Sequence, residues 1–135
     1  MIVEGGCYCG AVRYRAEGEP MLKGECFCRE CQYISGGNSN LVMAMPKDGF
    51  TITKGATKAF ARPDLEQAVS REFCPNCGTH LITRAPGFPA GVIVKIGTLD
   101  DPSQFGGPSM ACFARDQYSH HRLPGDIPVF DGWMR

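Results

Sequence analysis

The sequence predicts an all-β domain of many short strands, and three observations carry that expectation. No segment sustains a 3.6-residue apolar period, and Asp64 to Ser70 has room for two helical turns at most. The chain holds 17 glycines and 10 prolines, a fifth of its 135 residues, which implies frequent turns. Between those turns, short apolar runs or period-two alternations recur at close spacing. With no repeat, linker or low-complexity tract, residues 1–135 are expected to form one domain. That length buries about two thirds of the unfolded surface.

The elements follow in chain order. After Gly5-Gly6-Cys7-Tyr8-Cys9-Gly10, the residues Val12, Tyr14 and Ala16 alternate with Arg13, Arg15 and Glu17, as in a half-buried strand. Met21 to Glu25 leads into Cys26-Phe27-Cys28-Arg29-Glu30-Cys31. Residues 35–40 are turn material, and Leu41 to Met45 reads as a buried strand stopped by Pro46. Phe50 to Thr53 and Thr57 to Ala61 read as two strands around Gly55, ended by Arg62-Pro63-Asp64. Val69 to Phe73 enters Cys74-Pro75-Asn76-Cys77-Gly78 and Thr79 to Arg84 leaves it, in the form of a zinc-ribbon hairpin. Val92 to Ile96 is a further strand, Gly97 to Pro102 turns out of it, and Met110 to Ala114 is the last strand expected.

Composition excludes several classes of function. Fourteen Lys and Arg balance fourteen Asp and Glu, whereas a nucleic-acid binder that neutralises phosphates shows a basic excess. The first twenty residues hold Glu4, Arg13, Arg15, Glu17 and Glu19 and do not read as a signal peptide, and no run approaches the ~20 apolar residues of a membrane span. A cytoplasmic protein without nucleic-acid or membrane partners is expected. Its oligomeric state has no marker in the sequence.

Eight cysteines then need a reason. In a reducing compartment lasting disulfides are disfavoured, so metal ligation or thiol chemistry leads. Seven thiols fall into three groups beside turns: Cys7 and Cys9, then Cys26, Cys28 and Cys31, then Cys74 and Cys77. Thiolate-rich tetrahedral sites select zinc or iron–sulfur, and ribbon-like knuckles favour zinc. The two pairs make one closed four-thiol structural site. The triple remains as a three-thiol site with an open position, the arrangement of a catalytic metal, so two zinc ions per chain are expected. In a rival partition Cys28 and Cys31 join one pair, which strands Cys26. Glycine follows the last thiol of each pair, at Gly10 and Gly78, where positive φ lets backbone N–H groups turn toward sulfur.

Charge bears on the chemistry of the triple. Zinc with three thiolates is anionic, a poor Lewis acid beside a three-histidine site and poorly suited to making hydroxide. It suits an exogenous thiol held as a nucleophilic thiolate. A thiol substrate acting on an electrophilic carbon is therefore the chemistry expected first.

The combination of Gly6-x-Cys-x-Cys-Gly-x-Val-x-Tyr, Cys-x-Cys-x-x-Cys, Phe73-Cys-Pro-x-Cys-Gly and Gly97-Thr-Leu-Asp-Asp-Pro102 resembles the glutathione-dependent formaldehyde-activating enzymes over nearly the whole chain. The resemblance implies an Mss4-like β-tent of short antiparallel strands. It implies a structural zinc on Cys7, Cys9, Cys74 and Cys77, and a catalytic zinc on Cys26, Cys28 and Cys31. It further implies a carbon–sulfur lyase that exchanges S-(hydroxymethyl)glutathione with glutathione and formaldehyde. An inert zinc-stabilised binding module is the alternative. Many members carry His between the first two thiols of the triple, where this chain has Phe27, and a downstream His that Pro108 to Ala111 lacks.

The remaining candidates are weaker. Glu30, Arg29 and Lys23 are near the triple in sequence, but such charges usually stand in solvent. Cys112 reads as a small core residue, with a fourth ligand as the sharper alternative. His80 lies three residues past Cys77. His120 and His121 are expected to be exposed and unliganded, and Phe130 and Trp133 to anchor the C-terminus.

Overall fold

The computed structural model describes residues 1–133. Its strands are β1 (Ile2–Gly6), β2 (Arg13–Glu17), β3 (Leu22–Cys26), β4 (Asn40–Pro46), β5 (Phe50–Lys54), β6 (Lys58–Phe60), β7 (Ser70–Phe73), β8 (His80–Arg84), β9 (Gly91–Lys95) and β10 (Met110–Cys112). They form a three-stranded sheet in the order β1-β2-β5 and a seven-stranded sheet in the order β10-β3-β4-β9-β8-β7-β6. Both are open, and the architecture is all-β.

The alternation in β2 does what the sequence suggests: Tyr14 and Ala16 turn inward while the arginines between them remain partly exposed. They meet Val3 from β1, Val12 just before β2, and Met43, Met45, Leu81, Ile82, Val92 and Val94 from the large sheet. The Tyr14 ring stacks on Phe50 at 5.6 Å between centroids. Its hydroxyl lies 2.8 Å from Thr98 Oγ1, and Thr98 donates to the Lys95 carbonyl at 2.7 Å. This chain ties the small sheet to the turn after β9. Gly5 permits the approach, because a Cβ there would overlap the Thr98 carbonyl and the Tyr14 hydroxyl. An isolated bridge pairs Gly5 with Leu99.

Three features differ from expectation. A six-residue helix, α1 (Arg29–Ile34), stands inside the three-cysteine stretch, while residues 64–70 form no helix. The helix is too short for apolar periodicity, and a cysteine caps it. β1 forms although Gly5 and Gly6 weaken its propensity, because its full length pairs antiparallel with β2. Finally, β10 joins β3 in parallel, the exception among otherwise antiparallel strand pairs. The tail supports β10: Ala111 bridges Val129, and the Phe130 amide donates to the Ala111 carbonyl at 2.9 Å. Phe130 thus fastens the tail through its backbone, whereas Trp133 is about half exposed.

Candidate metal centre

Two turns build the first thiol group. Cys7 and Cys9 follow β1, and Cys74 and Cys77 occupy the turn between β7 and β8. The four sulfurs all lie within 4.8 Å of one another, with Cys7 to Cys9 at 3.6 Å and Cys9 to Cys74 at 3.8 Å. Gly10 (φ +79°) and Gly78 (φ +77°) take left-handed backbone as the turns require. Their own amides bond the carbonyls of Cys7 and Cys74, not the sulfurs. Other groups donate to sulfur: the Val12 amide to Cys7 at 3.2 Å, the Asn76 and Cys77 amides to Cys74 at 3.4 Å, and Asn76 Nδ2 to Cys9 at 3.3 Å. The Thr79 hydroxyl, 3.1 Å from Cys77, and the Thr79 amide hold that thiol down at about 5. Cys77 is therefore a thiolate at neutral pH. Donors directed at sulfur and a preformed thiolate are what a cation-binding thiolate cage requires.

The second group sits where β3 ends and α1 begins. Cys28 is the N-cap of α1, in extended conformation, and its sulfur accepts from the Cys31 amide at 3.4 Å. The helical turn brings Cys31 back over Cys28, and the sulfurs of Cys26, Cys28 and Cys31 lie within 4.8 Å of one another. Cys31 is buried, while Cys26 and Cys28 are partly accessible. Asn40 Nδ2 donates to Cys31 at 3.4 Å, and the Asn40 carbonyl oxygen accepts from the buried Lys95 ammonium. Neither residue stands out in the sequence, save that Lys95 interrupts the apolar run Val92 to Ile96.

The protonation of this group is the reverse of that of Cys77. Hydrogen bonds from Cys112 and Cys28 push Cys26 up strongly. Cys28 gains from its bond to Cys26, but its bond to Cys31 and burial outweigh that and hold it at about 11. Cys31 is likewise raised to about 11 by its bond to Cys26 and by burial. These three are neutral thiols until a cation displaces their protons.

The structure brings together both groups that the sequence paired and leaves the other candidates elsewhere. Cys112 lies opposite Cys26 in the parallel pair, outside the group of three. His80 is not in the four-thiol group; burial and the nearby Lys95 and Arg71 lower it to about 4. Glu30 pairs with Arg71 and Arg62, Lys23 Nζ donates to the Phe105 carbonyl at 2.7 Å, and Arg29 lies over the Tyr33 ring. His120 is exposed as expected, but His121 is only 4 % exposed. Its Nδ1 accepts from the Tyr118 amide at 2.9 Å, its Nε2 lies 2.8 Å from the Gly37 carbonyl, and its ring meets Phe27 edge-on at 5.5 Å. Beside the end of α1, a cavity of about 510 Å³ is lined by Ile34, Lys58, Phe60, Arg71, Phe73 and His80, among others.

The family model of the glutathione-dependent formaldehyde-activating enzyme matches residues 2–116, which include both thiol groups. The chain belongs to that family. A Halomonas elongata protein, whose name provisionally assigns it as a glutathione-dependent formaldehyde-activating enzyme, is 28 % identical over 94 residues. The match covers 66 % of this chain and 60 % of that protein, so it spans less than two thirds of the relative's length. Among solved structures, a Rhodobacter sphaeroides protein superposes with a TM-score of 0.61 at 19 % identity, covering 78 % of this chain and 96 % of the other. That likeness concerns the fold. The two cysteine groups can hold metal. Among the described residues no helix is long and apolar enough to cross a membrane.

Proposed function

We propose that the protein is a zinc-dependent carbon–sulfur lyase of the cytoplasm, acting on glutathione adducts such as S-(hydroxymethyl)glutathione. Cys7, Cys9, Cys74 and Cys77 hold a structural zinc, and Cys26, Cys28 and Cys31 a catalytic one. The observation that carries the reading is a thiol group that stops at three within a chain of this family. Three protein ligands leave a fourth position for substrate. Bound zinc would supply one thing, a thiol held as thiolate at neutral pH.

The chain's own residues do the rest. Cys26 and Cys28 keep the site partly accessible. Asn40 supports Cys31, and Phe27, between Cys26 and Cys28 in the chain, is fully buried. Lys58 lines the cavity beside α1 and matches a carboxylate of a glutathione moiety. In the synthetic direction a bond forms between the thiol sulfur and the aldehyde carbon, and the thiol proton ends on the new hydroxyl oxygen. The lyase direction reverses both changes.

Exchange of ¹³C-formaldehyde with glutathione, followed by NMR, tests the reading. Acceleration is expected with the wild type and not with Cys28→Ser; equal exchange by both defeats it. A second reading, a zinc-stabilised binding module whose site is filled from within, draws on Cys112 beside Cys26. It requires Cys112→Ser to lower metal affinity at the triple, whereas the lyase reading expects that affinity unchanged.

A further inference from the structure

We propose that Lys95, acting through Asn40, is a positioning residue of the three-thiol site that sets how tightly Cys31 holds metal. The inference rests on the reading of Cys26, Cys28 and Cys31 as a metal site. Lysine is seldom buried without an acidic partner. Lys95 is only 9 % exposed, and no carboxylate pairs with it among the described residues. Its hydrogen-bond partner is Asn40 Oδ1, and Asn40 is 6 % exposed. Arg71 and His80 are also near, and neither offers negative charge. The groups near Lys95 that favour its cation are the thiols of Cys31 and Cys26 once ionised.

Sheet register makes the link possible. In the β4–β9 pair Lys95 stands opposite Val42, and Asn40, two residues along β4, shares that face. Asn40 itself stands opposite Cys26 across β4–β3. One amide is thereby placed between the ammonium and the thiol group. An ammonium can only donate, so it fixes the Asn40 carbonyl oxygen toward itself and leaves the amide N–H for Cys31 sulfur at 3.4 Å. That N–H favours the thiolate over the thiol, and the fixed cation offsets the negative charge that three thiolates leave on a divalent metal.

The test measures zinc and cobalt(II) affinity at both sites by competition with a chromophoric chelator, for the wild type, Lys95→Met and Asn40→Asp. Both variants are expected to weaken metal at the triple about ten- to a hundredfold, the usual range for groups that orient a ligand. They should also shift its sulfur-to-cobalt charge-transfer bands, a change that general loosening of the fold does not produce. The four-thiol site in the same molecule is the folding control and should stay unchanged. If Lys95→Met also loses that site, Asn40→Asp decides the question. Wild-type affinity within twofold and unshifted bands in a folded variant overturn the inference. A wild type that fills only the four-thiol site overturns the reading of the triple instead.

Discussion

Replacing Phe27 by Ala removes a ring held on every side. Phe27 has no exposed surface, and its ring meets buried His121 edge-on at 5.5 Å. Its amide donates to the Cys112 carbonyl at 3.0 Å, and its carbonyl accepts from Gln32 Nε2 at 2.8 Å, so the backbone cannot move in to fill the space. At about 25 cal/mol per Å², losing roughly 150 Å² of buried ring surface costs about 4 kcal/mol. That agrees with the ~3–5 kcal/mol typical of buried aromatic truncations. It is a large share of the ~5–15 kcal/mol that keeps a domain folded. Guanidinium unfolding at fixed saturating zinc measures the loss. A loss below about 1 kcal/mol would show that Phe27 is not a packing residue and would refute the reasoning, because truncation in a closed core must cost the transfer term.

Two further outcomes are expected. Metal uptake by the triple should rise with pH from neutrality and level off near 11, because Cys28 and Cys31 there must each lose a proton. Uptake by the four-thiol group should depend less on pH above about 5, where Cys77 is already ionised; chelator competition at several pH values reads both, and equal slopes refute the contrast. Tyr14→Phe deletes the buried hydroxyl next to Thr98 and should destabilise by about 1 kcal/mol, and in the native protein the Tyr14 phenolate absorbance should appear only near pH 12.

The thiols were legible in the sequence because they leave a local mark: pairs at fixed spacing beside turn residues. Counting the pairs gave the same two groups that the fold assembles across 65 positions of chain between Cys9 and Cys74. The strands β2 and β4 to β10 were legible for a similar reason, since alternation and short apolar runs are local, whereas β1 and β3, each holding glycine, were not read as strands. What depends on register was not. Asn40 and Lys95 are 55 positions apart and meet only because β4 and β9 pair as they do. His121 lies in a polar stretch that looks exposed, and it is buried because the loop folds over Phe27. α1 escaped notice because its start signal is Cys28, a residue whose sulfur substitutes for the usual Ser or Asp oxygen.

The four-thiol group also has a consequence for how the chain folds. β1, β2 and β5 share no ladder with the larger sheet; the isolated Gly5–Leu99 bridge joins β1 to the turn after β9. A cation gripped by both turns closes a circuit of 65 positions. By the loop-closure estimate for cross-links, that circuit withdraws about 4 kcal/mol of freedom from the unfolded ensemble. Metal bound there would be a removable rivet between two sheets. Chelation should release the small sheet first and leave β3, β4 and β9 as the last ladder to melt.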